Sequence, residues 1–230
     1  MTPEILTRSF SNDQYVFDNV FFSNYYKIKG DKSKQRVIVD IGAHAGYFSF
    51  LSLSLGAKKV YCFEPFIDSF SVLLKNVYNP NFSGRVTPYQ LGVYTSEMLG
   101  AFTSPKLVEK IYLDFASIAL STENNDNPYP CFCSTLDNIL YKNCFNENID
   151  ILKINIGYAE REILLQSSLI QENVNSICGE ISCQTENQLV EFKKEMGIKG
   201  FANFVSSQIN DSERCLVRMT KNSFSEYFIE

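Results

Sequence analysis

Arg36-Val37-Ile38-Val39-Asp40-Ile41-Gly42-Ala43-His44-Ala45-Gly46-Tyr47-Phe48-Ser49 is the stretch whose reading decides the fold. Its first six residues form a short β-branched run, the kind buried on both faces of a parallel sheet. Gly42 and Gly46 break that run. Residues 47–55 then read as a helix that closes on Gly56, a residue suited to the left-handed turn past a helix end. Further along, residues 60–64 read as a second strand, ended by Pro65. Residues 68–77 read as a helix, with Asp68 or Ser69 near its cap and Pro80 beyond its end, and residues 86–93 as a third strand. Three strands joined by two helices make one right-handed half of a doubly wound sheet.

Residues 96–130 interrupt this rhythm and include the turn-forming run Glu-Asn-Asn-Asp-Asn-Pro at 123–128. Alternation then resumes. A short helix over 136–141, capped by Ser134 or Thr135, precedes a strand at 149–155, a helix at 159–169 and a strand at 176–182. An amphipathic helix at 186–196 places Leu189, Phe192 and Met196 on its core side. Strands at 200–205 and 215–219 are joined by a short link and so are expected to be antiparallel. The sum is an α/β, Rossmann-like fold with a seven-stranded, mostly parallel sheet and helices on both faces. Residues 1–35, rich in aromatics (Tyr15, Phe17, Phe21, Phe22, Tyr25, Tyr26), are expected to be an extension serving as lid, substrate contact or dimer contact. Residues 36–230 are expected to form one domain carrying the 96–130 insertion.

Composition narrows the functional classes. The 230 residues carry 26 acidic and 21 basic side chains, a net charge of −5, which argues against a broad footprint for nucleic acid or anionic lipid. A single histidine excludes multi-histidine zinc sites, and any histidine-dependent catalyst has to use His44. Cys131 and Cys133 lack a second pair at zinc spacing, so no metal is expected and the seven cysteines are read as free thiols in a reducing cytoplasm. No apolar run reaches the roughly 18 residues of a membrane span.

In an open α/β sheet, ligands bind outside the carboxyl ends of the strands. At the first strand's end, the spacing of Gly42 and Gly46 differs from the dinucleotide fingerprint. Gly42 permits a sharp turn that brings a ligand against backbone amides at the helix start. Asp40 at the strand tip suits a cation or amine. At the second strand's end, in Phe63-Glu64-Pro65, an acidic residue stands where it can accept hydrogen bonds from ribose hydroxyls. A nucleoside bearing a positive charge fits both, which describes S-adenosylmethionine better than NAD.

Four segments carry a family resemblance: Asp40-Ile-Gly-Ala-His-Ala-Gly-Tyr-Phe-Ser49, Tyr61-Cys-Phe-Glu-Pro65, Ser134-Thr-Leu-Asp137 and Ile149-Asp-Ile-Leu-Lys-Ile154. In this order they resemble the signatures of FkbM-type methyltransferases. The resemblance implies a class I methyltransferase that uses S-adenosylmethionine to methylate hydroxyls of sugars or polyketide-like metabolites. It implies that Asp40, Gly42 and Gly46, with Ala43, His44 and Tyr47 of the same loop, face the methionine part. Glu64 would bind the ribose, and Pro65 with Phe66 or Ile67 would flank the adenine, with Gly92 completing the cofactor set. In Cys178-Gly-Glu-Ile181, Glu180 matches the acid that the family places on its fifth strand.

One motif departs from the family. Where the family reads Lys-Ile-Asp-Val-Glu-Gly-Ala-Glu, this chain has Lys153-Ile-Asn155-Ile-Gly157-Tyr158-Ala-Glu160. Two carboxylates are lost, and an amide is no proton acceptor. Three readings follow. A hydroxyl is methylated with a base drawn from Lys153, Glu160, Glu180 or His44. Alternatively, Asn155 and Tyr158 recognise a small planar amine, as in the Asn-Pro-Pro-Tyr motif of amino-methyltransferases but without its prolines. In the third, the chain binds the cofactor and has lost catalysis. The expected partner is a small-molecule or glycan acceptor and no nucleic acid, with a homodimer as an option.

Overall fold

The computed structural model describes residues 5–9, 11–80, 82, 84–103, 128–157, 159–209 and 213–229. Its main sheet contains β1 (Val37–Ile41), β2 (Lys59–Phe63), β3 (Val86–Tyr89), β7 (Ile149–Ile154), β8 (Val174–Ser182), β9 (Asn203–Gln208) and β10 (Arg214–Thr220). The order is β3-β2-β1-β7-β8-β10-β9. The first five are parallel, and β10 runs antiparallel to both of its neighbours. The chain reverses order between β1 and β7, so their carboxyl ends open on a crevice.

A second sheet of β4 (Gly92–Val93), β5 (Met98–Thr103) and β6 (Pro128–Ser134) has the order β4-β6-β5. The strand expected over 86–93 is therefore two strands in two sheets. The Leu91 amide donates back to the Tyr89 carbonyl (3.0 Å), which turns the chain out of the main sheet before Gly92 pairs with Cys133. The expected insertion thus begins and ends in β5 and β6; its residues 104–127, with most of the polar loop, lie outside the described residues.

Alternation along β1 sends Val39 and Ile41 to one buried layer and Ile38 to the other. The first layer is closed by α5 (Glu160–Gln166) and α7 (Glu186–Ile198), whose Phe192 and Met196 are fully buried while Leu189 is only partly so. Thr185 caps α7, its hydroxyl oxygen accepting from the Gln188 amide at 3.3 Å. The second layer is closed by α2 (Tyr47–Ser54) and α3 (Ile67–Val77). Neither Asp68 nor Ser69 caps α3; its N-cap is Phe66, whose amide is taken by Glu64 at 3.0 Å.

The helix expected over 159–169 ends early, with α5 at Gln166, and a separate short helix α6 (Ile170–Asn173) follows it. Asp137, in the short helix α4 (Leu136–Asn138), accepts from the Ser168 and Leu169 amides and from both serine hydroxyls of the break, holding that backbone extended. Thr135 is the side chain that caps α4.

Every residue of α2 from Tyr47 to Leu53 is buried, which requires cover on its outer face as well. The N-terminal segment supplies it through α1 (Asp13–Phe17) and the wider turns of Asp18–Phe22, with Phe17 packed edge-on against Tyr47 at 5.3 Å. Ile28 bridges to Phe228 beyond the last helix α8 (Phe224–Tyr227), and buried Arg36 donates to the carbonyls of Lys29 and Glu226. All seven cysteines are free and buried. No helix among the described residues is long and apolar enough to cross a membrane.

Candidate functional site

The parallel strands bring residues 40–46, 64–67 and 153–157, together with Glu180, to one end of the sheet. The loop after β1 is a chain of left-handed turns at Gly42 (φ 74°), His44 (φ 53°) and Gly46 (φ 91°). Gly42 is obligatory there for a second reason: a Cβ would stand 2.0 Å from the Asn155 carbonyl oxygen. The loop is pinned to β2 by the Gly42 and Ala43 amides, both donating to the Phe63 carbonyl at 2.9 and 3.0 Å. Gly46 brings no side-chain cap to α2, so the first amides of that helix point out uncapped by any side chain.

Asp40 is wholly buried. It pairs with the Lys153 ammonium at 3.0 Å and accepts from the Ser49 hydroxyl at 2.7 Å. Lys153 also donates to the carbonyls of Gly42 (2.6 Å) and Ile41 (3.3 Å). The pair therefore braces the glycine loop from beneath.

Glu64 ties two loops together. One oxygen accepts from the His44 amide at 2.8 Å and the other from the Phe66 amide at 3.0 Å. Burial outweighs both bonds and pushes its carboxyl up to about 7. Pro65 and Phe66 are half-buried beside it, and Ile67 is exposed.

His44 faces the N-terminal segment. Its Nε2 lies 3.1 Å from Arg8 Nη2 and 3.4 Å from Asp13 Oδ1, and Arg8 and Asp13 are themselves paired at 2.7 Å. Burial of Asp13 would raise its carboxyl, but the Arg8 bonds hold it below the usual range. The extension thus reaches the glycine loop through polar contacts as well as aromatic ones.

The altered motif after β7 forms a cluster of its own. Asn155 donates from its amide nitrogen to the Tyr26 hydroxyl (3.1 Å) and accepts at its oxygen from Arg214 (3.1 Å). Glu160 is fully buried; one oxygen accepts from the Ile156 and Gly157 amides (2.9 and 2.7 Å) and pairs with Arg214 at 3.0 Å. Burial raises its carboxyl, with Arg214 opposing. The same guanidinium reaches Glu180 at 3.4 Å. Burial and the Glu180 carboxylate beside it push the half-buried Tyr25 phenol upward.

Asn155, Glu160 and Glu180 are therefore brought together by one residue, Arg214, while Lys153 is turned to Asp40 instead. Tyr158 lies outside the described residues. Arg214 carries no local signal in the sequence. It arrives because β10 folds back antiparallel on β8, setting Arg214 opposite Ser182 and two residues from the partner of Glu180. Tyr26 was legible only as one of an aromatic group.

The methyltransferase FkbM domain profile matches residues 40–201. Among solved structures, the chain is similar to the human methyltransferase 10 domain containing protein, with 13% identity, 90% of this chain and 81% of that one covered, and a TM-score of 0.52. It is similar to the METTL16 MTase domain with 15% identity, coverage of 96% and 71%, and a TM-score of 0.51. A putative RNA methyltransferase from Pyrococcus horikoshii matches at 17% identity, coverage of 90% and 79%, and a TM-score of 0.43. At these identities the likeness to the first two is one of fold. No curated protein matches the sequence.

Proposed function

The chain belongs to the FkbM family of methyltransferases, and from that premise we propose that it methylates a hydroxyl of a sugar or secondary-metabolite acceptor, with Glu180 as the proton acceptor. S-adenosylmethionine is the methyl donor. The residues present fit it: the amides at the start of α2 have no side-chain cap, and each Glu64 oxygen that accepts one amide keeps lone pairs for a ribose hydroxyl. The backbone of Gly42, Ala43, His44, Gly46 and Tyr47 would hold the methionine part, Glu64 the ribose, and Pro65, Phe66 and Gly92 the base. Asp40 takes part by bracing the loop through Lys153.

The bound cofactor supplies a methyl group made electrophilic by its sulfonium. The protein has to align the acceptor oxygen with that methyl and take the hydroxyl proton. The observation that carries the choice of base is exposure. The Glu180 side chain is 17% exposed, whereas that of Glu160 is fully buried and that of Lys153 is 5% exposed and held by Asp40. Arg214 would fix the Glu180 carboxylate and leave lone pairs free for the acceptor. The amine reading is less well supported, because the Asn155 amide is engaged at both ends, by Tyr26 and Arg214, and Ile156 and Gly157 stand where the amine motif has prolines. The net charge of −5 favours a small acceptor over a nucleic acid.

The test is a panel of sugars, phenols, amines and RNA incubated with isotopically labelled S-adenosylmethionine, the products located by mass spectrometry. An O-methylated small molecule is the expected product. Methyl transfer only to nitrogen, or cofactor binding without transfer to any acceptor, overturns the reading.

Glu64 makes a separate prediction. Its carboxyl titrates at about 7 in the folded chain against an ordinary 4.5, so the folded state holds an extra proton between those values. Stability without ligand therefore rises as pH falls through that window. Binding goes the other way, since a protonated Glu64 is a poorer acceptor for ribose. Calorimetric affinity for S-adenosylhomocysteine is expected to fall as pH drops through about 7, and Glu64→Gln to remove that dependence; a flat profile in the unmodified chain refutes the role.

A further inference from the structure

The second sheet holds a cluster of sulfur that methyl transfer does not use. Cys131 and Cys133 stand one residue apart on β6, so their side chains share a face. Their sulfurs lie 3.5 Å from each other, and both residues are buried. Met98, on β5, is in register with Cys133 and packs against the pair together with Tyr94. On the other flank Gly92 pairs with Cys133, and a Cβ there would come within 2.7 Å of the Cys133 sulfur. A glycine at that position gives the thiols their room.

We propose that Cys131, Cys133 and Met98 form a binding site for a soft monovalent metal ion of the Cu(I) class. Thiolate and thioether ligands select such ions, whereas a structural zinc site calls for about four sulfur or nitrogen ligands. No group of three or more His, Cys, Asp or Glu residues among the described residues is placed to hold a metal. The sequence between 104 and 127 contains no cysteine, histidine or methionine, so that segment adds no soft donor. A low-coordinate sulfur site is what remains.

In a three-ligand site, metal–sulfur bonds of ~2.3 Å lie about 120° apart and set the sulfurs about 4.0 Å from each other. From the present 3.5 Å the thiols therefore need to part by about 0.5 Å. Each thiol releases its proton to solvent as it bonds the ion, and the ion keeps its oxidation state, so no electron donor or acceptor is needed.

The experiment titrates the reduced full-length chain anaerobically with Ag(I), a non-oxidising probe, and with Cu(I) held by a competing chelator. One ion per chain is expected, with sulfur-to-metal charge-transfer absorption. Cys131→Ser and Cys133→Ser are each expected to weaken binding about 100-fold and Met98→Leu about 10-fold, while Cys183→Ser leaves affinity unchanged. In the unmodified chain, one equivalent of Ag(I) should protect Cys131 and Cys133 from alkylation, a readout that needs no variant to fold. Protection of other cysteines instead, tighter binding of Zn(II) than of Ag(I), or a Cys131→Ser/Cys133→Ser chain that binds as tightly as the unmodified one overturns the proposal.

Discussion

Lys153→Met is expected to destabilise the fold by about 3–5 kcal/mol, read as a large fall in the urea midpoint. The ammonium is held 3.0 Å from Asp40, with the two side chains 5% and 0% exposed. Removing it leaves a carboxylate in the interior with, among the described residues, the Ser49 hydroxyl as its remaining side-chain donor, and strips the Gly42 carbonyl of its 2.6 Å donor. Against a typical total stability of about 5–15 kcal/mol, this loss brings the chain close to unfolding. The penalty arises from the uncompensated charge rather than from the lost attraction. Lys153→Met/Asp40→Asn should therefore recover a large part of it. A single variant within about 1 kcal/mol of the unmodified chain, or a double variant no better than the single, refutes the brace.

Glu180→Gln is expected to lower kcat by about a hundredfold to ten-thousandfold with a hydroxyl acceptor, at little change in cofactor affinity. The amide oxygen of glutamine can still accept from Arg214, so the guanidinium keeps a partner and the cluster its shape. What disappears is a group able to take the acceptor's proton. Cofactor affinity is the control, because the glycine loop follows β1 and Glu64 follows β2, two and three strands removed from β8. A fall of less than threefold, or a loss of cofactor affinity in step with activity, would show that Glu180 has no such role.

The turn and strand ends proposed to hold the methyl donor were legible because their pattern is local. Gly42, Gly46 and Glu64 end consecutive strands of one βαβ unit, and residues a few positions apart in such a unit have little freedom to be elsewhere. Asp40 shows where that reasoning stops. Its place at a strand tip was legible, but which way it faces was decided by Lys153, 113 positions away and paired across β1 and β7. The capping side chain expected for α3 failed as well. The helix starts at Ile67, with Phe66 as N-cap and its amide held by Glu64, so Asp68 and Ser69 fall inside the first turn.

The group proposed to meet the acceptor was less legible still. Asn155 in place of a carboxylate reads in isolation as a lost catalyst. In the folded chain it is one member of a group that includes Tyr26 from the N-terminal segment and Arg214 from the antiparallel strand. By itself the sequence determined the alternation of strands and helices and the glycine turns at the carboxyl end of β1, because hydrophobic period and glycine turns act over a few residues. Only the tertiary structure decided which candidates meet, since Arg214 reaches Asn155, Glu160 and Glu180 through the register of β10 on β8, a long-range pairing that no local pattern encodes.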